Sequence, residues 1–221
     1  MKVGINSEEL LNSEPPKEKV QELISLYNHG QFDEVLSKAK PLASLFPRTI
    51  VLHNLVAAAN SALKNLDQAI ESFNKVLELN PEDAMAYFNI GTIFSEKEEF
   101  DTAIKNYQKC LSIKPNHAEA YDNMGSVLKV QGKLTTAIEQ FTQAINLKPN
   151  FAQAHYNLGV VLQETGNSNA AIESHKKALE INPSYFKAYN NMGNALKDKD
   201  ELDAAIESYE QAIKIKPEYA E

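Results

Sequence analysis

Apolar residues recur along this chain at helical spacing. Tyr87, Ile90, Gly91 and Phe94 fall on one stripe, and after a short break Phe100, Ala103, Ile104, Tyr107, Cys110 and Leu111 fall on another. Spacings of three and four residues place such positions on one face of an α-helix. The pattern therefore predicts two helices, Ala84–Glu96 and Phe100–Ile113, the second opened by Asp101 near its amino terminus and closed before Pro115.

The pair repeats. Pro47, Pro81, Pro115, Pro149, Pro183 and Pro217 are each 34 residues apart, and the same step relates Gly91, Gly125, Gly159 and Gly193, and Ala69, Ala103, Ala137, Ala171 and Ala205. A glycine inside a helix costs up to about 1 kcal/mol against alanine, so its recurrence calls for a close helix contact, which we place near the alanine series. Neither helix of a pair can bury its stripe alone, and a helix of roughly 12 residues is marginal in water, so stability must come from stacked neighbours.

The pattern Tyr87, Ile90-Gly91, Phe94, Ala103, Tyr107, Cys110, Pro115 resembles the tetratricopeptide repeat signature. The resemblance implies an all-α fold, a right-handed α-solenoid of about six tandem helix-turn-helix units at residues 16–49, 50–83, 84–117, 118–151, 152–185 and 186–219. Residues 1–15 read as a polar, partly disordered leader, and 220–221 as the start of a further repeat. Unit one departs most from the pattern: Leu23 stands at the glycine position, Val35 at the alanine, and Pro41 interrupts the second helix, where a kink is expected. Ser168 replaces an apolar residue and is expected to loosen the turn of unit five.

Composition narrows the function. The 221 residues are 43% hydrophobic and 24% charged, enough for a packed core. With 22 basic against 30 acidic residues, a formal charge of -8 and Arg48 as the one arginine, a nucleic-acid partner is disfavoured. Cys110 is the one cysteine, so no internal disulfide and no cysteine-rich metal site can form. Neither a signal-peptide stretch nor a membrane-length apolar run is present. The expectation is a cytoplasmic protein without membrane contact, and the abundance of lysine and asparagine beside one arginine suits a bacterial source.

No catalytic or phosphate-binding motif is present, so no enzymatic activity, cofactor or metal is expected. His155 and His175 occupy positions that are tyrosine or phenylalanine in other units and read as core substitutions, not ligands. Cys110 reads as a small buried hydrophobe.

In the family the first helix of each unit lines a concave groove. Projected onto this sequence, the sixth helix positions are Asn89, Asn123, Asn157 and Asn191, the fifth Phe88, Asp122, Tyr156 and Asn190, and the ninth Thr92, Ser126 and Asn194. Side-chain amides offer donor and acceptor together, suited to an extended peptide main chain. The series is similar to the asparagine ladder of the O-linked N-acetylglucosamine transferase superhelix. Phe88 and Tyr156 are candidate side-chain anchors. As exposed groove residues, Asn123 and Asn157 should be replaceable by alanine at little cost in stability. Glu96, Glu119, Asp122, Glu164 and Asp198 against Lys129, Lys187 and Lys197 make the groove mildly acidic.

The expected function is a protein-interaction scaffold or adaptor for a protein or extended peptide. The alternatives are the substrate-recruiting repeat region of a larger glycosyltransferase- or sulfotransferase-type enzyme, and a self-assembling scaffold. The last would use an uncapped carboxyl-terminal face that includes Tyr209, Ala212 and Ile213.

Overall fold

The computed structural model describes residues 14–219. Most of the polar leader and residues 220–221 lie outside them. Twelve α-helices and one terminal 3-10 turn make up the described residues: α1 Lys17–Asn28, α2 Phe32–Leu45, α3 Ile50–Ala62, α4 Leu66–Leu79, α5 Ala84–Glu96, α6 Phe100–Ile113, α7 Ala118–Val130, α8 Leu134–Leu147, α9 Ala152–Glu164, α10 Ser168–Ile181, α11 Phe186–Lys197 and α12 Leu202–Ile215. The bounds of α5 and α6 are those the apolar spacing predicts.

The chain divides into two compact units at Glu99 and Phe100. In the first, α1 to α5 pack in sequence, from α1 on α2 to α4 on α5, and α1 also touches α3. One core joins Leu23, Val35, Ala39, Leu42, Leu52 and Val56, and a second joins Ala57, Ala69, Phe73, Val76, Ala86, Ile90 and Ile93. The α2 helix continues through Pro41 to Leu45, so the proline does not end it. In the second unit α6 to α12 pack in sequence, and the odd helices also meet one another, α7 with α9 and α9 with α11. This second set of contacts lines up the first helices of successive repeats, which is what builds a continuous face.

The turn inside every repeat is the same. Gly30, Lys64, Glu98, Gly132, Gly166 and Asp200 all have positive φ, between 60° and 79°, at the same place in each unit. The next residue donates back to a carbonyl five residues upstream, as in Asn65 N to Asn60 O at 2.9 Å and Lys133 N to Leu128 O at 2.9 Å. These closures satisfy carbonyls at the end of the first helix. Only three of the six are glycine, so the left-handed series is invisible in residue identity. Ser168 does not leave its turn without a cap: the Asn167 side chain accepts from Ala170 N at 3.3 Å.

The recurring glycine does allow a close approach, but against a different partner from the one expected. A Cβ on Gly125 would lie 2.8 Å from Phe141 Cε1, one on Gly159 2.5 Å from His175 Cε1, and one on Gly193 2.6 Å from Tyr209 Cε1. An aromatic ring on the second helix, not the alanine, fills the space. The alanines Ala137, Ala171 and Ala205 are buried beside it.

Candidate functional site

The face shared by α7, α9 and α11 holds most of the sequence-derived site residues, and the structure links several across repeats. Asn157 Nδ2 donates to Asp122 Oδ1 at 3.0 Å and lies 3.4 Å from Ser126 Oγ, joining α9 to α7. Its own carbonyl accepts from Gln153 Nε2 at 2.9 Å. Gln153 Oε1 in turn accepts from the Tyr185 hydroxyl at 2.7 Å. The donors therefore run Tyr185, Gln153, Asn157, and the chain ends on the Asp122 carboxylate. Beside it, Asn191 Nδ2 donates to the Tyr156 hydroxyl at 3.2 Å, joining α11 to α9. Asn194 Oδ1 accepts from the Tyr209 hydroxyl at 2.8 Å within its own repeat.

These bonds change the character of the ladder. Asn123, Asn157, Asn190 and Asn191 are half-buried, not freely exposed. The Asn157 amide already has both its donor and its acceptor engaged, so it ties successive repeats together. Phe88, Asn89 and Thr92 lie on α5 in the first unit and are also half-buried, with the Thr92 hydroxyl donating to Phe88 O at 3.1 Å.

Asp122 is the departure from a simple groove lining. It is only 4% exposed, and its carboxyl is pushed up to about 6 by burial, with Asn157 opposing and Glu119 adding to the rise. Of the other acids of the face, Glu119 pairs with Lys148 at 2.7 Å and Asp198 accepts from Gln163 at 2.9 Å; in the first unit Glu96 pairs with Lys64 at 2.7 Å. Lys148 draws the Glu119 carboxyl below its usual range.

Two residues that sequence reasoning missed complete the face. Gln153 is the second residue of α9, outside the fifth, sixth and ninth positions singled out from the sequence. Tyr185 lies in the turn before α11, outside any helical stripe. Its ring is 4.9 Å from that of Tyr156, and its phenol is pushed up to about 12 by burial, then by Tyr156 and Asp122. Phe151, Gln153, Tyr156, Tyr185, Phe186 and Lys187 border a depression of about 470 Å³ between α9 and α11.

The histidines are structural. His155 Nε2 meets Pro149 O at 3.0 Å, as His53 Nε2 meets Pro47 O at 2.8 Å, so the ring donates to a proline carbonyl six residues back in both repeats. His175 is 0% exposed under Gly159, neither ring nitrogen has a hydrogen-bond partner, and burial pushes it down to about 4. Cys110 is buried, and burial raises its thiol. Among the described residues no cluster of His, Cys, Asp or Glu is placed to hold a metal, and no helix is long and apolar enough to cross a membrane.

Comparison with known proteins agrees with this architecture. Family profiles described as tetratricopeptide repeat match residues 84–117, 152–185 and 186–219, and residues 106–139. A further profile, described as TPR repeat, matches residues 62–97 and 125–166. The chain belongs to the tetratricopeptide repeat family, with an all-α solenoid fold of about six repeats, and is a protein-interaction scaffold.

Among solved structures, the crystal structure of MamA is 27% identical with a TM-score of 0.69, covering 75% of this chain and 96% of that one. YrrB, described as a TPR protein with an unusual peptide-binding site, is 23% identical with a TM-score of 0.67, covering 82% and 93%. The pilF protein of Pseudomonas aeruginosa is 15% identical with a TM-score of 0.79, covering 90% and 91%. No curated protein matches the chain.

Proposed function

We propose that the protein is an adaptor that binds an extended peptide segment of a partner along the face formed by α7, α9 and α11. The observation that carries this reading is the row of half-buried amides Asn123, Asn157, Asn190 and Asn191 beside Tyr156 and Tyr185. Amides held at fixed spacing by inter-repeat hydrogen bonds suit a main chain, whose donors and acceptors also recur regularly. Preorganisation lowers the entropy cost of binding, because the groove side chains are ordered before the peptide arrives. The likeness to YrrB, described as having a peptide-binding site, supports the reading by analogy.

Selection of peptides from a random linear library on the immobilised protein, followed by calorimetry with the selected sequence, tests it. Asn123→Ala with Asn190→Ala should weaken binding at least tenfold, a loss of about 1.4 kcal/mol. Unchanged affinity would remove the ladder from the binding site.

A second reading, self-association, rests on α12. Leu202, Ile206 and Ile213 are 53%, 55% and 43% exposed, whereas Ile172 and Leu179, at the equivalents of the last two, are 4% and 8% exposed in the preceding repeat, which packs against α11. A second copy would cover this stripe. Light scattering at micromolar concentration, with Ile213→Glu as the comparison, decides it.

A further inference from the structure

The second unit holds a buried acid that the fold leaves without a counter-charge. Asp122 is 4% exposed, and among the described residues the hydrogen bond to its carboxylate comes from a neutral amide, Asn157. The charged group acting on it is Glu119, a like charge, and Glu119 keeps Lys148 for itself at 2.7 Å. Buried carboxylates in proteins are ordinarily paired or amply hydrogen-bonded, because removing the charge from water costs several kcal/mol otherwise. Asp122 is also the endpoint of the donor chain from Tyr185 through Gln153 and Asn157, which holds one of its carboxylate oxygens, Oδ1, in place. Next to Asn157, the Tyr156 and Tyr185 rings lie 4.9 Å apart and inclined by 32°. Aromatic faces and an unpaired carboxylate attract the same kind of group: an organic cation on a flexible apolar stem.

We propose that Asp122, together with the ring faces of Tyr156 and Tyr185, forms a subsite on the concave face for a lysine or arginine side chain of the bound peptide. This deepens the peptide-binding reading and rests on it. The cation meets the carboxylate oxygen that Asn157 does not bond and supplies the charge that Asp122 lacks, and its aliphatic stem lies against the tyrosines. Asn123 and Asn190 stand on the flanking helices, at the same sixth and fifth positions of the face, to meet main chain on either side. Lys187 is an exposed cation at the rim of the depression beside Tyr156 and Tyr185, and the variant Lys187→Gln removes its charge.

The test is selection from a random linear peptide library on the parent protein, on Asp122→Asn and on Tyr185→Leu, each first checked for folding by circular dichroism. The subsite predicts enrichment of Lys or Arg at one peptide position with the parent and with Lys187→Gln, and loss of that enrichment with Asp122→Asn. In a selected peptide, replacing the enriched residue by norleucine or citrulline should weaken binding to the parent roughly tenfold and to Asp122→Asn less than about twofold, as expected of a partly desolvated charge pair. Tyr185→Leu, which keeps the carboxylate, should show an intermediate loss. Binders without basic enrichment, or an enrichment that Asp122→Asn leaves intact, would overturn the subsite while the groove stands. Failure to select any binder would overturn both.

Discussion

Replacing His175 by phenylalanine should make the protein more stable. His175 occupies the position that Phe141 and Tyr209 hold in the neighbouring repeats, directly under a glycine, and it is 0% exposed with both ring nitrogens unpartnered. Burying polar groups without hydrogen bonds costs about 1–3 kcal/mol in proteins, and phenylalanine removes that cost while keeping a planar ring. The opposing effect is crowding. A Cβ built on Gly159 would sit 2.5 Å from the His175 ring, against 2.8 Å between Gly125 and the Phe141 ring, so the α9 and α10 pair must open by a few tenths of an ångström. That adjustment costs up to about 1 kcal/mol.

The net expectation is a gain of about 1–2 kcal/mol, or roughly 2–8 °C in melting temperature for a chain of this size. Urea unfolding followed by circular dichroism at neutral pH measures it, with repeat-by-repeat analysis if the transition is not two-state. His175→Ala, which removes the ring, should lose about 3 kcal/mol or more as a control for packing. A His175→Phe variant less stable than the parent would mean that the ring nitrogens are satisfied or that the repeat cannot widen.

The pH dependence should reveal two opposed groups. His175, pushed down from 6.5 to about 4, contributes stability at neutral pH that is lost as pH falls through 6.5 towards 4. Asp122, pushed up from 3.8 to about 6, does the reverse: the fold gains as pH falls through 6 towards 3.8. Each effect is about 3 kcal/mol at full extent, so they nearly cancel in the parent. Acid titration should make Asp122→Asn more acid-sensitive than the parent and His175→Phe less so, and parallel curves for all three would refute the assignment. Asn157→Ala should cost about 1–3 kcal/mol because it strands the buried carboxylate, in contrast to the small cost expected from sequence; thermal melting checks it. Gly125→Ala should cost about 1–3 kcal/mol and Gly125→Leu more, since the added carbon meets the Phe141 ring, again read from melting curves. Lys64→Gly should stabilise by about 1 kcal/mol by relieving a left-handed residue, while Gly132→Ala should destabilise by a similar amount in urea unfolding.

The helices were legible because burial of a stripe at period 3.6 and stacking at a period of 34 act on the same residues, so α5 and α6 end where the apolar series end. The face shared by α7, α9 and α11 was legible as a set of helix positions but not as a set of interactions. Asp122 looks like a surface acid because the polar side of its helix carries it, and what covers it is Asn157, contributed by the next repeat 35 residues later. Tyr185 escaped because it sits in a turn and joins the face through Gln153, a contact spanning 32 residues. The partner of the glycine was misplaced for a related reason: spacing tells which residues share a helix face, while the ring that reaches across is set by how the helices cross.

In the proposed mode of binding, amides on the face of α7, α9 and α11 grip peptide main chain. It is tested most directly by backbone N-methylation of a selected peptide, scanned one residue at a time, with affinity measured by calorimetry. Methylation removes a main-chain donor and leaves every side chain in place. Methylation at alternating central positions should abolish binding, with the sensitive positions shifting or vanishing in the Asn123→Ala and Asn190→Ala variants. A peptide that tolerates N-methylation throughout would contradict it, because recognition would then run through side chains alone.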